Sequence, residues 1–332
     1  MNDGPFLNRR AFIGAIGGAA LIGLPGFAHA QTAGKTWRVG VLSLNAANRG
    51  NTDAFRDQMR SLGYVEGSNL AIVYRIAEGK EERLAEMATE LAGLKVDAIV
   101  TVATQAALAA KRATRTIPIV MATAGDPVGT GVIASLARPG GNITGMSNQS
   151  TELAGKRLQL LREILPRITR IAILPLKGTP LTPLLIAEFR AAAKQFGITL
   201  SIHEVNTVAT LPEAFAAMQR ARAQALIVPN NPFSGENRER IVSLALQQRL
   251  VTMFDVRGAI ESGGLIAYGP NISELYRRAA YYLDRIFKGA SPADLPVEQP
   301  SKYEMIINLK TARALGIKVP KAVLARADEV IQ

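Results

Sequence analysis

Few residues in this chain can break bonds. Among 332 residues there is no cysteine, and there are two histidines, His29 and His203. That removes a thiol nucleophile, Cys-ligated zinc or iron–sulfur sites, a disulfide framework and a His-rich metal site, so no metal and no cofactor is expected. The polar groups at informative positions are hydroxyls, amides, carboxylates and a phenol: Ser43, Asn45, Thr104, Gln105, Thr123, Asp126, Asn230, Asp255 and Tyr268. Such groups hold a small molecule rather than transform it. Thr104-Gln105 opens a helical stretch whose first N–H groups and dipole can hold a carboxylate, although Thr104 is equally a plain N-cap. Asp126, in Gly125-Asp126-Pro127, can pair with an ammonium or simply close a turn. Asp255 can contact a ligand as well. Asn230-Asn231-Pro232 is a turn whether or not a ligand touches it, and Tyr268 can stack on a ligand or pack between lobes. His203 has Glu204 beside it and no second partner, and reads as a surface histidine; Trp37 reads as structural. Carboxylate-only chemistry stays open, but the expectation is a protein that is not an enzyme.

These residues share one feature, their position just after strands. From Lys35 onward, short β-branched runs at residues 38–42, 70–74, 98–102 and 117–121 alternate with helical stretches at 51–62, 81–94 and 105–113. Residues 81–94 are apolar at Leu84, Met87, Ala88, Leu91 and Leu94, a spacing close to 3.6. Alternation of this kind predicts βαβ units and a parallel sheet covered on both faces. Ligands of such sheets bind beyond the carboxyl ends of the strands, which is where Ser43, Asn45, Thr104, Gln105, Thr123 and Asp126 fall.

The pattern is then written a second time. Thr169-Arg170-Ile171-Ala172-Ile173-Leu174 echoes Trp37-Arg38-Val39-Gly40-Val41-Leu42 at an offset of 132 residues. Phe196-Gly197-Ile198 echoes Leu62-Gly63-Tyr64 at 134, Leu226-Ile227-Val228 echoes Ala98-Ile99-Val100 at 128, and Val251-Thr252-Met253 echoes Pro118-Ile119-Val120 at 133. One shared offset predicts two similar α/β lobes, with Leu176-Lys177, Asn230-Asn231 and Asp255 at the second lobe's strand ends. Further elements follow: a strand at 265–268, a helix at 273–288, a Pro-rich connector, a strand near 303–307 and a short helix to Leu315. They must join existing sheets, so the chain crosses between lobes several times, which makes a hinge with a cleft beside it. Tyr268 falls at one such crossing.

The ends of the composition argue alike. The formal charge is +12, from 39 basic and 27 acidic residues, with aromatics at 5%. The basic residues are scattered, and the clusters Lys111, Arg112, Arg115 and Lys156, Arg157, Arg162 read as solvated helix faces, so nucleic acid is not expected as a partner. Gly129-Thr130-Gly131-Val132-Ile133-Ala134 fits a dinucleotide pattern but stands too far beyond its strand. Asn8-Arg9-Arg10-Ala11-Phe12-Ile13, an apolar run of 14 residues to Leu24 and Ala28-His29-Ala30 resemble a twin-arginine (Tat) export signal over residues 1–30. The run is shorter than a membrane-spanning helix needs, and no cysteine follows it for acylation. The mature chain, starting near Gln31, is expected to be soluble and periplasmic without a lipid anchor. Removing Asp3, Arg9 and Arg10 leaves 37 basic and 26 acidic residues, a charge of +11.

Longer motifs carry a family resemblance. Leu62-Gly63-Tyr64-Val65-Glu66-Gly67-Ser68-Asn69-Leu70, Gly125-Asp126-Pro127-Val128, Ser135-Leu136-Ala137-Arg138-Pro139-Gly140-Gly141-Asn142-Ile143-Thr144-Gly145, Tyr268-Gly269-Pro270-Asn271 and Leu295-Pro296-Val297-Glu298-Gln299-Pro300 resemble the ABC-transporter substrate-binding proteins of the tryptophan/tyrosine-uptake type. The resemblance implies a type I periplasmic-binding-protein fold, with two Rossmann-like lobes joined by three segments. Lobe one would hold residues 35–147 and 266–290, and lobe two 148–265 and 291–332. It also implies a small organic ligand, an amino acid (aromatic in some relatives) or related carboxylate, and as partners an ABC permease with a separate ATPase subunit and the Tat machinery. A monomer is expected. Pro175-Leu176-Lys177-Gly178 departs from the Asn-Pro pair of many relatives. A ligand sensor and, less in keeping with the residues, an exported α/β enzyme are the alternatives.

Overall fold

The computed structural model describes residues 35–46 and 49–332; the export-signal reading of residues 1–30 lies outside them. In the first lobe, β1 (Trp37–Ser43), α1 (Arg49–Ser61), β2 (Leu70–Ile76), α2 (Arg83–Gly93), β3 (Ala98–Val102), α3 (Thr104–Ala113), β4 (Ile119–Ala124) and β5 (Ile143–Ser147) form a parallel sheet in the order β2-β1-β3-β4-β5. The second lobe continues with α4 (Ala154–Ile164), β6 (Arg170–Ile173), α5 (Leu181–Phe196), β7 (Thr199–Ile202), α6 (Leu211–Arg220) and β8 (Ala225–Val228). It is completed by α7 (Pro232–Glu236), α8 (Arg238–Gln247), β9 (Val251–Phe254), α9 (Arg257–Glu261) and β10 (Ile266–Pro270). Its sheet runs β7-β6-β8-β9-β10, the same winding repeated. The shared offset in the sequence is therefore a repeat of topology.

Strands covered on both sides must be apolar on both sides. In β1, Val39 packs with Phe55 and Met59 of α1, while Leu42 faces Leu84 and Leu91 of α2. The α1 face is closed by α10 (Ile272–Phe287), whose Leu275, Tyr276, Ala279, Leu283 and Phe287 form one buried stripe at helical spacing. Trp37 stacks on Phe287 with ring centroids 4.0 Å apart. After α10 the chain returns to the second sheet as β11 (Tyr303–Asn308), antiparallel to β10, then α11 (Leu309–Leu315), α12 (Lys321–Leu324) and β12 (Glu329–Ile331) beside β11.

Two boundaries differ from the sequence reading. Residues 266–290 were expected together in lobe one, but Ile266–Pro270 is the second sheet's fifth strand, with Ile266 beside Met253 and Ala267 beside Phe254. Its counterpart β5, Ile-Thr-Gly-Met-Ser, has two hydroxyls and a glycine after Pro139-Gly140-Gly141, and so does not read as a strand. Residues 291–332 were expected in lobe two, but Leu295 and Val297 are buried in the first lobe's cores, and Glu298 bridges to Met146. The three crossings thus fall at residues 148–153, at Asn271 and at 299–302.

Candidate functional site

The strand ends of both lobes line a single cleft of about 850 Å³. Of the residues singled out by position, Ser43, Asn45, Thr104, Gln105, Thr123, Asn230 and Asp255 line it. Asp126 and Tyr268 lie elsewhere. The Asp126 carboxylate accepts the Gly129 N–H at 2.8 Å, and its carbonyl takes Thr130 N–H and Oγ1, so it closes the turn that leaves the sheet. That turn carries the Gly129-Thr130-Gly131 sequence in a loop, with no helix before β5. Tyr268 is inside β10 and not at the crossing; its ring packs on the second lobe's core and against Tyr303, 6.0 Å between centroids.

On the first lobe's side the backbone is held open toward the cleft. Ser43 Oγ donates to the Asn45 carbonyl. Thr104 Oγ1 accepts the Gly125 N–H at 3.1 Å and lies 3.2 Å from the Gly125 carbonyl, lacing the ends of β3 and β4 together. The Thr104 hydroxyl is therefore spent on structure. Helix α3 is preceded by Ala103, which has no side chain to cap it and sits at φ 73°, ψ 159°, a region costly for any residue with a Cβ. No side chain caps α3, so its first-turn N–H groups, at Thr104 and Gln105, are presented to the cleft as an anion-seeking end. The Gln105 amide bonds to Glu81, whose carboxyl is pushed up chiefly by burial.

On the second lobe's side, Asp255 is buried at the end of β9. One carboxylate oxygen accepts the Asn230 N–H at 2.9 Å; the other, Oδ1, lies 3.2 Å from Arg157 Nη2 and has no hydrogen bond of good geometry. Arg157 was expected on a solvated face and is instead wholly buried, its side chain 1% exposed. It belongs to the buried stripe of α4, with Ala154, Leu158, Leu161 and Ile164. Its Nη1 donates to the Ser150 carbonyl and its Nε to the Tyr268 carbonyl, each at 3.2 Å. One guanidinium therefore grips the chain beside two of the three crossings and the cleft carboxylate together. Burial pushes Asp255 up and Arg157 down, and each partner opposes the shift of the other. Gly269 fixes the same corner, because a Cβ there would lie 2.0 Å from the Asp255 carbonyl oxygen.

The lobes also touch directly. Asn45 Nδ2 reaches across to the Pro232 carbonyl at 3.3 Å, while its Oδ1 is buried without a partner. Gly125 meets the start of α5 so closely that a Cβ would be 2.5 Å from Leu181 Cδ2. The Asn231 side chain is engaged by the α7 capping box with Ser234. Position after a strand does not indicate Arg157, Leu181 or Tyr276, and Asn148 follows β5, which does not read as a strand; for Arg157 the signal is there, a basic residue in register with an apolar stripe. Leu176 and Pro175, from the loop that departs from many relatives, do line the cleft. Among the described residues no group of three or more His, Asp or Glu could hold a metal ion, and no helix is long and apolar enough to cross a membrane.

Comparison with known proteins agrees with this architecture. The family model for ABC transporter substrate binding proteins matches residues 42–331. A tyrosine-binding protein of Clostridioides difficile (strain R20291) is 25% identical over 276 residues, 83% of this chain and 78% of that one. A conserved domain protein from Vibrio cholerae superposes with a TM-score of 0.83 at 29% identity, covering 89% of this chain and 100% of that one. An ABC domain from Streptococcus pneumoniae, solved with L-Trp, gives a TM-score of 0.83 at 26% identity over 90% of this chain and 100% of that one. The fold is that of the type I periplasmic binding proteins.

Proposed function

The chain belongs to the ABC transporter substrate-binding protein family, and from that premise we propose that it is the extracytoplasmic receptor of an importer for an α-amino acid or a related carboxylate. The observation that carries this reading is the division of charge across the cleft. The first lobe offers the uncapped start of α3, which favours an anion, and the second offers the Asp255 carboxylate, which lines the cleft beside Arg157 and would be the partner of a ligand's cation. An α-carboxylate would lie against the α3 N–H groups with Thr123 and Ser43 beside it, and the α-ammonium against Asp255 and Asn230. Because the two partners belong to different lobes, the ligand binds both only when the lobes are closed, and that differential contact drives closure. Asn45 to Pro232 and Gly125 to Leu181 are the contacts of the closed form.

In this reading the ligand leaves unchanged, and the closed form is what a membrane permease, powered by a separate ATPase, recognises. The relatives named for tyrosine and solved with L-Trp support an amino-acid ligand. Export through the twin-arginine route would deliver a soluble, unanchored monomer to the periplasm. The test is thermal unfolding of residues 31–332 against amino acids, aromatic acids, sugars and nucleotides. A ligand at 100 times its Kd should add about 2.7 kcal/mol. A raised midpoint confined to amino acids, with the ligand recovered intact, is expected; conversion of the ligand would overturn the receptor reading.

A further inference from the structure

The two lobes repeat one topology, and they differ at the ends of their sheets that point away from the cleft. Arg38 in β1 and Arg170 in β6 are counterparts. The Arg38 N–H donates to the Asp97 carboxylate, just ahead of β3, at 2.7 Å. The Arg170 N–H donates to the Gln224 amide oxygen, just ahead of β8, at 3.0 Å, and the same oxygen takes the Thr169 N–H at 2.8 Å. The side chains match too, with Arg38 Nη1 on the Leu94 carbonyl and Arg170 Nε on the Arg222 carbonyl. One fastening is made twice, by a carboxylate in the first lobe and by a neutral amide in the second.

That exchange leaves the far end of the second sheet basic. Arg170, Arg222 and Arg249 stand at the starts of β6, β8 and β9, neighbouring strands about 4.8 Å apart. Arg167 and Arg220 precede them in the same loops, and Arg313 lies in α11, whose end is tied to Arg249 by Nη2 on the Leu315 carbonyl. All six residues are exposed, and among the described residues none of them is paired with a carboxylate. In the first lobe, by contrast, Arg60 and Lys288 are paired with Asp57 and Asp284. Helix dipoles favour a cation near each C-terminus, but they do not call for arginine where glycine fits better. Helices α5 and α11 end on Gly197 and Gly316 in the left-handed region. After α6 and α8 the same region is taken by Arg222 at φ 53° and Arg249 at φ 55°, a conformation disfavoured for any residue with a Cβ.

We propose that this basic end of the second lobe is a docking surface for a bilayer bearing anionic headgroups. A row of guanidinium groups without neutralising partners matches a sheet of phosphates, and each cation near such a surface strengthens adsorption about fivefold. Residues 165–170, 219–224, 248–250 and 313–318 include no aromatic side chain on which a nucleobase could stack. The row lies at the strand starts and the cleft at the strand ends, so lipid and ligand can be bound together.

Co-sedimentation of the purified protein with vesicles of phosphatidylglycerol and phosphatidylcholine in equal parts, against phosphatidylcholine alone, tests this at low and high salt. Two variants each remove three positive charges. Arg170→Gln with Arg222→Gly and Arg249→Gly clears the second lobe's row, with glycine suited to the positive φ at both sites. Lys95→Gly with Arg112→Gln and Arg115→Gln does the same on the first lobe, where Lys95 is also at positive φ. The wild type should bind the mixed vesicles alone, more weakly as salt rises, and equally with or without its ligand. The second-lobe variant should lose about a hundredfold in partitioning, and the first-lobe variant no more than about threefold. No binding to mixed vesicles, equal binding to both compositions, or equal losses in the two variants would overturn the proposal. Tighter binding to a single-stranded oligonucleotide than to the mixed vesicles at the same salt would overturn it as well, in favour of nucleic acid.

Discussion

Replacing Arg157 with Met keeps most of the side chain's volume and removes its charge. In the native protein the guanidinium neutralises a carboxylate whose side chain is 4% exposed and satisfies two carbonyls, those of Ser150 and Tyr268. Without it, Asp255 keeps only the Asn230 N–H, and breaking a buried pair from one side costs about 3–5 kcal/mol. Against a total stability of about 5–15 kcal/mol that is a large loss. Its pH dependence is the sharper test. Burial already pushes the Asp255 carboxyl up, and Arg157 is what opposes it. In the variant that opposition is gone, so the folded-state pKa rises further above the unfolded value. A folded state that holds its proton more tightly than the unfolded one loses stability as pH rises between the two pKa values. The variant should therefore lose least near pH 4, progressively more as pH rises, and then level off above the folded pKa. Urea unfolding from pH 4 to pH 9, wild type against Arg157→Met, measures this difference. A loss below about 1 kcal/mol, or one that does not vary with pH, would refute the reasoning. Replacing both members, Arg157→Met with Asp255→Leu, should recover most of the loss.

Three further outcomes follow from the same geometry. Gly125→Val places its branches where Leu181 Cδ2 and Ser150 Oγ already lie 2.5 and 2.6 Å from a Cβ, so it should hold the lobes apart. Calorimetry should show ligand binding weakened at least about tenfold, or about 1.4 kcal/mol, while apo stability is retained; unchanged affinity would contradict this. Ala103→Gly removes the cost of φ 73° and should raise stability by about 1 kcal/mol in thermal unfolding, after the entropy lost by glycine; a lowered midpoint would count against strain at that position. Glu298 is held below the usual carboxylate range by its hydrogen bonds to Arg278, at the edge of the third crossing. A depressed folded pKa gives stability that is present above the unfolded pKa and lost as pH falls through the folded one. Glu298→Gln should cost no more than about 1 kcal/mol at pH 7, since the pair is partly exposed, and nothing at pH 3.

The lobes were legible because βαβ units write the same periods twice, and the cleft because open sheets bind at their strand ends; neither needs knowledge of contacts. What was not legible depended on partners far away in the chain. β5 has a glycine and hydroxyls and is a strand because β4 pairs with it, and the lobe bounds implied by the family resemblance separate β10 from the sheet in which β9 holds it. Arg157 looked like its neighbours Lys156 and Arg162, and only the burial of Asp255 about a hundred residues later explains its place. Tyr268 and Asp126 were near strand ends in sequence, but alternation along β10 and a tight turn direct them away from the cleft.

The most direct test of a cleft that divides its charges between two lobes is a titration with head-group analogues. The amino acid found to bind would be compared by calorimetry with its α-amide and its N-acetyl derivative. If the α3 N–H groups hold the carboxylate and Asp255 the ammonium, each neutralised form should lose a charge-assisted bond of about 1.5–3 kcal/mol, or at least about tenfold in Kd. Asp255→Asn should remove the penalty for N-acetylation but not the penalty for the amide. Affinity unchanged by either modification would contradict the account.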